Sequence, residues 1–516
     1  MNRTRGSKLA AKEAIRPSLD TRAIERNPLQ ERAPIIEALK DYMGVTRFHM
    51  PGHRGGIGVD PIAIGQLGLK TYQCDVTGVL GMDDLHEPHG CIREAQELAA
   101  EVFGADQTYF SVGGTSGAVK AMVLATLNDG ETLIIPRNIH KSILAAIVLS
   151  GAKPAFVRPS YDEYLGLTEG VELRSLEECV EANPNAKAAL LVNPTYYGTA
   201  VDLTPTASFL HERGITLLVD EAHGPHFRFH KKLPVPALDS GADIVAQGAH
   251  KIIGALTQAS FLHVKGARVD RARLKAMFQF LSSTSPSYLL LASLDAARRH
   301  MAMFGTDLID YAINQANYLR YAVNQIPGLY SFGEESVGKP GAESLDPTKV
   351  TITVRELGIT GYQAEKYLRR KHDIQVEMSD LYNVLIIVSY GNTTNDVEKL
   401  LSGLRDLVEA VEHGDLVQDL LANQKSIPDL PAFPEMALTP RRAVMSPWQR
   451  VSLAQARNRV SAEVVTCYPP GIPIVYPGEV ITDETVAYLS VVKDLAFGIS
   501  GPEDRTLETL RVVKDV

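Results

Sequence analysis

The chain alternates between short apolar runs and longer amphipathic stretches over residues 93–265. The amphipathic stretches have helical periodicity, whereas the apolar runs have the length of buried strands. The predicted strands are TYFSV (108–112), TLIIP (132–136), AALLVNP (188–194), ITLLVDEAH (215–223), ADIVAQ (242–247) and ASFLHV (259–264). Strands that are apolar throughout and separated by helices are typical of a parallel sheet covered on both faces. The pattern therefore predicts an α/β fold.

The sequence also predicts how the chain is divided into domains. Residues 1–70 are interpreted as an N-terminal arm and linker, with a short amphipathic helix at 34–42. A large domain is expected at 71–325, ending in a helical stretch. Residues 326–516 mix strand and helix patterns, which predicts a smaller α+β domain, and the Pro-rich segment 425–436 within it is interpreted as a linker.

The composition argues against several classes of partner. The 516 residues include 52 Lys+Arg and 61 Asp+Glu, a net charge of −9, so a basic surface for nucleic acid is not expected. The sequence has no run of about 18 apolar residues that could span a membrane, and its polar start lacks the apolar core of a signal peptide. Four widely spaced cysteines favour reduced thiols over a disulfide framework or a metal site. A cytoplasmic location is therefore expected.

A glycine-rich turn, GGTSG (113–117), follows the first predicted strand and opens a helix. Gly114 allows close backbone approach, the helix N-terminus presents N–H groups to an anion, and the hydroxyls of Thr115 and Ser116 add donors. The segment can therefore bind a phosphate. A simple strand–helix turn with a Thr or Ser cap explains it equally well.

Two charged residues follow other predicted strands. Asp220 ends an apolar strand, where an acid is costly unless it has a partner such as a protonated ring nitrogen, although a helix cap is an equal alternative. Lys251 follows His250 after ADIVAQ, and a lysine near a buried strand end can form an imine, although a lone lysine is more often a solvated surface residue. Together with the glycine-rich turn, these residues are what pyridoxal 5′-phosphate (PLP) needs.

Two loops carry weaker candidates. His140, in RNIHKS after TLIIP, could stack on a flat ring, and it could equally be a polar loop residue. Thr284 and Ser285, in SSTSPSY, could bind a phosphate across a subunit interface, and Ser-rich turns before helices are also common.

Several segments in a fixed order resemble the bacterial ornithine/lysine/arginine decarboxylases, which are PLP enzymes of the aspartate-aminotransferase fold, fold type I. The segments are PGHRGG (51–56), GGTSGA (113–118), RNIHKS (137–142), VDEAHGPHF (219–227), AHKIIGALTQASFLHVKG (249–266), STSPSY (283–288) and CYPPGIPIVYPGE (467–479). The resemblance implies a mostly parallel sheet sandwiched by helices, followed by a smaller α+β domain. The resemblance is to the shorter members of the family, which lack an N-terminal wing domain, because only about 45 residues precede the first motif.

The resemblance also implies roles for the candidate residues. Lys251 looks like the Schiff-base lysine, and Asp220 resembles the partner of the pyridine nitrogen. His140 matches the histidine that stacks on the ring, and Ala222 would pack against the opposite face of the ring. His223, the next residue, is also expected to bind the cofactor.

The phosphate and the reacting carbon have their own implied residues. Thr115 and Ser116 match the phosphate-binding pair. Thr284 or Ser285 is similar to the hydroxyl that reaches the phosphate of the partner subunit. His250 would lie near Cα and help to protonate it.

One departure from the family concerns the residues before the lysine. The family usually has Ser-Thr-His-Lys, whereas this chain has Gly248-Ala249-His250-Lys251, so one serine donor to the phosphate is missing. A hydrogen bond to a charged group is worth about 1.5–3 kcal/mol. We therefore expect PLP to bind more weakly or another donor to compensate. If the missing donor matters, Gly248→Ser should tighten PLP retention, whereas unchanged PLP affinity would mean that the phosphate is already satisfied.

The implied reaction converts a basic amino acid to its amine and CO2, in polyamine synthesis or acid resistance. Glu377, Asp380 and Glu479 are candidate carboxylates for the distal cation of the substrate, and solvated acids are an equal interpretation of each. Arginine is favoured because short members of the family include arginine decarboxylases, while lysine and ornithine stay open. A homodimer or homotetramer with active sites at the subunit interface is expected.

Three alternatives stay open. The same fold could support another PLP reaction, such as an aminotransferase or an aldolase. A PLP-binding regulatory homologue or a pure interaction scaffold could also have this sequence, and both would lack decarboxylase activity.

Overall fold

The structure is a computed structural model that describes residues 27–416, 430–468, 472–494 and 498–514. Three parts of the predictions lie outside these ranges: residues 1–26 of the N-terminal arm, residues 425–429 of the linker and residues 469–471 of the CYPPGIPIVYPGE motif. The predicted helix at 34–42 is confirmed.

The helices of the described ranges are α1 (Pro34–Tyr42), α2 (Pro61–Leu67), α3 (Leu69–Cys74), α4 (Cys91–Phe103), α5 (Gly114–Thr126), α6 (Lys141–Ser150), α7 (Leu173–Ala182), α8 (Leu203–Glu212), α9 (Ala249–Ile252), α10 (Arg271–Leu281), α11 (Tyr288–Val323), α12 (Gly361–His372), α13 (Thr394–Glu412), α14 (Pro440–Met445) and α15 (Asp483–Asp494). The strands are β1 (Gln107–Ser111), β2 (Thr132–Pro136), β3 (Lys153–Val157), β4 (Tyr161–Asp162), β5 (Leu167–Thr168), β6 (Ala188–Val192), β7 (Thr199–Ala200), β8 (Thr216–Asp220), β9 (Ile244–Gln247), β10 (Ser260–Val264), β11 (Ser344–Leu345), β12 (Lys349–Thr353), β13 (Met378–Ser379), β14 (Asn383–Ile387), β15 (Trp448–Ser452), β16 (Val465–Tyr468), β17 (Ile472–Val475), β18 (Gly498–Ser500) and β19 (Thr509–Val513).

A seven-stranded sheet with the order β1-β10-β9-β8-β6-β2-β3 forms the centre of the larger part. Neighbouring strands from β9 to β3 are parallel, and β10 runs antiparallel to both β9 and β1. The predicted α/β fold with a mostly parallel sheet is confirmed. Because β2, β6, β8 and β9 end at the same edge, the residues that follow them lie close together.

The two faces of this sheet are buried against different helices. Leu133 and Ile135 of β2 pack in one apolar core with α5, α6 and α10. Ile134, between them, packs in a second core with α7 and α8. Successive side chains of a strand point to opposite faces, so burial on both faces requires the unbroken apolar runs seen in the sequence.

The long helix α11 joins the sheet to the C-terminal region. Near its start, Leu291 and Leu294 pack in a core with residues of α1 and α4 and with Phe261 of β10. Near its end, Leu319 and Val323 pack against the antiparallel sheet β12-β14-β13 and the helices α12 and α13. This helix therefore belongs to two apolar cores.

The last part of the chain has a further core around α15. It includes the small sheets β15-β19 and β17-β16-β18. The domain boundaries expected at residues 70 and 325 stay a prediction. No helix in the described ranges is both long and apolar enough to cross a membrane.

Candidate active site

Lys251 lies in α9, directly after the buried strand β9. Its Nζ is 2.5 Å from Nε2 of His223 and 5.3 Å from the centre of the Tyr196 ring. Burial lowers the pKa of Lys251, against the opposing charges of Asp220 and Glu377. A lower pKa favours the neutral amine, which is the form that attacks a carbonyl carbon.

Asp220 is the last residue of β8, which lies beside β9 in the sheet. Its side chain is buried, and the backbone N–H of Ala222 donates to its Oδ1 over 3.2 Å. Burial raises the pKa of Asp220 to about 6, although Lys251 opposes this shift. A carboxylate at this depth is stabilised by a protonated nitrogen, so the arrangement suits a ligand that carries one.

The glycine-rich turn forms the N-terminus of α5. Gly114 has a left-handed φ of +71°, and its N–H donates to the backbone oxygen of Gln258 over 2.9 Å. The hydroxyl of Thr115 lies 2.9 Å from the hydroxyl of Ser260, at the start of β10. The N-terminus of this 13-residue helix thus lies beside two side-chain hydroxyls, an arrangement that can bind a phosphate.

The glycine-rich turn and Lys251 lie close to each other at Gly248. A Cβ atom at this position would lie 3.2 Å from Thr115 Oγ1, 3.2 Å from Lys251 Cδ and 2.8 Å from the backbone oxygen of Ala222. The last contact is too short for a Cβ atom, so a serine at this position would have to displace the backbone around Ala222. The expectation that Gly248→Ser tightens PLP retention stays a prediction, and this close contact opposes it.

His140 is the N-terminal cap of α6, where its Nδ1 accepts a 3.2 Å hydrogen bond from the N–H of Ser142. Burial and the nearby charges of Lys251 and Lys141 lower the pKa of His140. The residue still has an exposed surface. A neutral imidazole that faces the lysine and is open on one side can stack on a flat ligand.

His223 connects Lys251 to residues that the sequence did not single out. Its Nδ1 lies 3.2 Å from Nζ of Lys349, and its ring packs 4.2 Å from the Tyr196 ring. Burial and the neighbouring lysines place the pKa of His223 well below its usual value. The imidazole is therefore neutral.

The three candidate substrate carboxylates have different surroundings. Glu377 is exposed and accepts a 2.9 Å hydrogen bond from the Tyr196 hydroxyl, so it belongs to the Lys251 cluster. Asp380 is buried and accepts from the Tyr197 hydroxyl and from backbone N–H groups of its own turn. Glu479 is buried against Arg137, at distances of 2.5 and 2.8 Å. Only Glu377, among the three, has its carboxylate open beside the lysine.

The remaining candidates lie around this cluster. Nδ1 of His250 lies 2.9 Å from the backbone oxygen of Ala259. Thr284 and Ser285 are exposed in the loop between α10 and α11, which is the position that contact with a partner subunit requires.

Sequence reasoning missed Tyr196, Ser260 and Lys349. A lysine at the start of the apolar strand KVTITV was the available signal for Lys349. Tyr196 lies in the turn that follows β6, at the same edge of the sheet as Asp220. For Ser260 the sequence carries no comparable signal, because its partner Thr115 is 145 residues away.

Comparisons with known proteins agree with this geometry. A family model described as Orn/Lys/Arg decarboxylase, major domain, matches residues 33–396, and the C-terminal domain of the same family matches residues 424–503. The chain belongs to the Orn/Lys/Arg decarboxylase family. The decarboxylase is therefore an amino-acid carboxy-lyase of PLP fold type I, with PLP as its cofactor.

Individual relatives differ in similarity. The arginine decarboxylase of Halalkalibacterium halodurans is 43% identical over 488 residues, which cover 94% of this chain and 98% of that protein. The constitutive lysine decarboxylase of Escherichia coli is 28% identical over 88% of this chain and 76% of that protein. The crystal structure of a Francisella novicida lysine decarboxylase has a TM-score of 0.80 at 24% identity, covering 94% of this chain and 82% of that one, and so supports the fold.

The residues of the site fit PLP. Thr115 Oγ1 and Lys251 Cδ both lie 3.2 Å from the Cβ position of Gly248, so the glycine-rich turn and the lysine are close enough for one ligand to contact both. Asp220 offers a buried acid for the ring nitrogen, and His140 offers a face for the ring.

Proposed function

We propose that the decarboxylase converts arginine to agmatine and CO2, taking up one proton per turnover. The observation that carries this proposal is the exposed Glu377 carboxylate, which Tyr196 holds beside Lys251. A carboxylate can accept two parallel hydrogen bonds from a guanidinium, which an ammonium cannot supply in that geometry. The greater identity to a protein named arginine decarboxylase than to one named lysine decarboxylase supports the same choice.

We assign the cofactor-facing roles by position. Lys251 would attach PLP, Asp220 would keep a proton on its ring nitrogen, and the α5 N-terminus with Thr115 and Ser116 would bind its phosphate. His140 and Ala222 are the residues that would hold the ring. When bound, PLP accepts the electron pair that the departing CO2 leaves behind.

The substrate-facing roles follow from the same cluster. Glu377, held by the Tyr196 hydroxyl, would bind the guanidinium of the substrate. His250 and Lys251 are the groups that can return a proton to Cα, since both lie at the end of β9. Because His223 is neutral and buried, it adds no charge that would hold the product in the site.

A homodimer with the active site at the subunit interface is part of the proposal. Four large apolar side chains between α1 and α4 are exposed to solvent, namely Phe48, Ile57, Ile62 and Leu80 at 89%, 91%, 77% and 99% exposure. Large exposed apolar surfaces often mark protein interfaces, so this segment is the one we assign to contact with a second copy. Thr284 and Ser285 would then lie where a second copy can use them.

We place the reaction in polyamine synthesis in the cytoplasm. Loss of the amidine group from agmatine leaves a four-carbon diamine, so a hydrolytic enzyme acting on agmatine would complete the route. The four cysteines are all unpaired, which suits a reducing compartment.

The test is one assay on the purified protein. We expect a visible absorbance band from lysine-bound PLP and CO2 release that is fastest with arginine when arginine, lysine and ornithine are compared at equal concentrations. A band with faster release from lysine or ornithine would refute the substrate. A band with no CO2 from any of the three would refute the reaction.

A further inference from the structure

Two consecutive tyrosines in the turn between β6 and β7 join the central sheet to the C-terminal region. The hydroxyl of Tyr196 donates to Oε1 of Glu377 over 2.9 Å. The hydroxyl of Tyr197 donates to Oδ2 of Asp380 over 2.8 Å. The two acids lie on either side of the two-residue strand β13. Both ends of this short strand are therefore attached to the turn that follows β6.

The two acids differ in how firmly they are held. Asp380 is 3% exposed, and its carboxylate also accepts from the backbone N–H groups of Tyr382 and Asn383 and from the Asn383 amide. Glu377 is exposed, and its carboxylate accepts from the Tyr196 hydroxyl. Asp380 is therefore the fixed point of this segment, whereas the Glu377 carboxylate is open to a ligand.

The pairing of β13 with its own sheet does not place Glu377 relative to the central sheet. Both residues of β13 pair with β14, inside the C-terminal region. This pairing fixes Glu377 relative to β14, whereas Lys251 follows a strand of the central sheet. The hydrogen bonds of Tyr196 and Tyr197 cross between these two parts, so they bear on the position of the Glu377 carboxylate beside the lysine.

The turn that carries the two tyrosines also contacts the reactive lysine. The centre of the Tyr196 ring lies 4.2 Å from that of the His223 ring and 5.3 Å from Nζ of Lys251. Tyr197 is the next residue along the chain, so one stretch of backbone positions both tyrosines. A shift of Glu377 away from this turn would therefore change its distance from Lys251.

We propose that Tyr197 is a positioning residue that makes the site prefer a guanidinium to an ammonium, because its hydrogen bond to Asp380 keeps the Glu377 carboxylate in a fixed orientation. This inference rests on the proposed binding of the substrate guanidinium by Glu377. Two parallel hydrogen bonds from a guanidinium require a fixed orientation of the carboxylate. The rotatable donors of an ammonium tolerate a displaced carboxylate. Loss of the Tyr197 hydrogen bond should therefore weaken the binding of a guanidinium more than that of an ammonium.

The test compares two ligands that differ in their distal group. Agmatine and cadaverine both carry an amine at one end, and their other ends are a guanidinium and an ammonium. Thermal-shift titration of the PLP-loaded enzyme gives the dissociation constant of each ligand without turnover.

Tyr197→Phe removes the hydroxyl and keeps the ring among its apolar neighbours. We expect this variant to bind agmatine about fivefold more weakly and cadaverine less than about twofold more weakly. KM for arginine should rise by the same factor as the dissociation constant of agmatine, with kcat unchanged. Equal weakening of both ligands, or no weakening of either, would overturn the inference.

A matched control removes a similar hydroxyl elsewhere. The Tyr367 hydroxyl also donates to an aspartate over 2.8 Å, between α12 and α13. Tyr367→Phe should therefore keep both dissociation constants at their wild-type values. Weaker agmatine binding by this variant, equal to that of Tyr197→Phe, would mean that general loosening of the C-terminal region explains the effect, and the inference would be lost.

A substitution of Glu377 separates this inference from the proposed function. Glu377→Gln should itself weaken agmatine binding, and the addition of Tyr197→Phe should weaken it by less than about twofold more, because the paired geometry is already lost. If Glu377→Gln binds agmatine as tightly as the wild type, the proposed guanidinium site fails. If Glu377→Gln weakens agmatine binding and Tyr197→Phe does not, the guanidinium site stands and the role of Tyr197 fails.

Discussion

Two clusters of buried charge in this decarboxylase are built in opposite ways. Arg137 and Glu479 form a closed pair: the guanidinium also donates to the backbone oxygens of Pro473 and Ile474, and three aromatic rings surround it. In the Lys251 cluster two lysines share one histidine, and burial lowers the pKa of Lys251, His223 and Lys349. The fully paired charges of Arg137 and Glu479 support the fold, whereas the incompletely paired groups around Lys251 can take part in a reaction.

The largest expected effect comes from removing the reactive amine. Lys251→Ala should lower decarboxylase activity by at least about 10³-fold, because the residue that bonds to PLP is lost. Borohydride should no longer fix PLP to the protein. The exposed Lys339→Ala serves as the control, and full borohydride labelling of the Lys251 variant would show that another lysine carries the cofactor.

Breaking the closed pair should affect folding. Arg137→Met leaves the carboxylate of Glu479 buried without its partner, which should lower the free energy of unfolding by about 3–5 kcal/mol. Denaturant unfolding measures this change. Arg137→Met with Glu479→Leu should recover much of the loss, and equal stability of the single and double variants would mean that Glu479 is not stabilised by charge pairing.

A substitution of Glu377 tests whether the Lys251 cluster binds the substrate. Glu377→Gln should raise KM for arginine about 10–100-fold, since one charge-assisted hydrogen bond to a guanidinium is worth about 1.5–3 kcal/mol. Steady-state kinetics with arginine check this. Glu181→Gln, an exposed acid on α7, is the matched control, and an unchanged KM in Glu377→Gln would move the substrate cation elsewhere.

The smallest effect concerns a buried acid that belongs to neither cluster. Burial raises the pKa of Glu169 to about 7, and the Thr199 hydroxyl donates to it. Because the folded pKa lies above the unfolded value of about 4.3, the unfolded chain releases this proton first, and stability should fall as pH rises from about 4.5 to 7. Glu169→Gln should flatten this part of the stability profile measured by urea unfolding. An identical slope in the variant would contradict the shift.

The sequence predicted most strands of the central sheet because they are buried on both faces and therefore unbroken apolar runs. β3 was missed, since Lys153 and Pro154 interrupt its pattern and the strand lies at the edge of the sheet. Asp220 and Lys251 could be found because each lies at, or a few residues after, the end of an apolar strand. Their roles stay predictions that the variants above test.

Long-range partners could not be predicted in the same way. Glu479 lies in a conspicuous motif, yet its partner Arg137 is 342 residues away, and no local pattern reports that pairing. Lys349 reaches His223 across 126 residues for the same reason. The sequence also could not show that a side chain at Gly248 would meet the oxygen of Ala222, because that contact depends on how two strands end side by side.

The 36-residue helix α11 measures about 54 Å along its axis, at 1.5 Å per residue. One end supports the platform that carries Lys251, and the other end supports the layer that contributes Glu377 and Lys349. The helix α11 therefore sets the distance between Lys251 and the residues Glu377 and Lys349 of the C-terminal region. Because α11 is part of both apolar cores, loosening of either core on heating would shift the helix, so the geometry of the site and the cooperativity of unfolding depend on the same element.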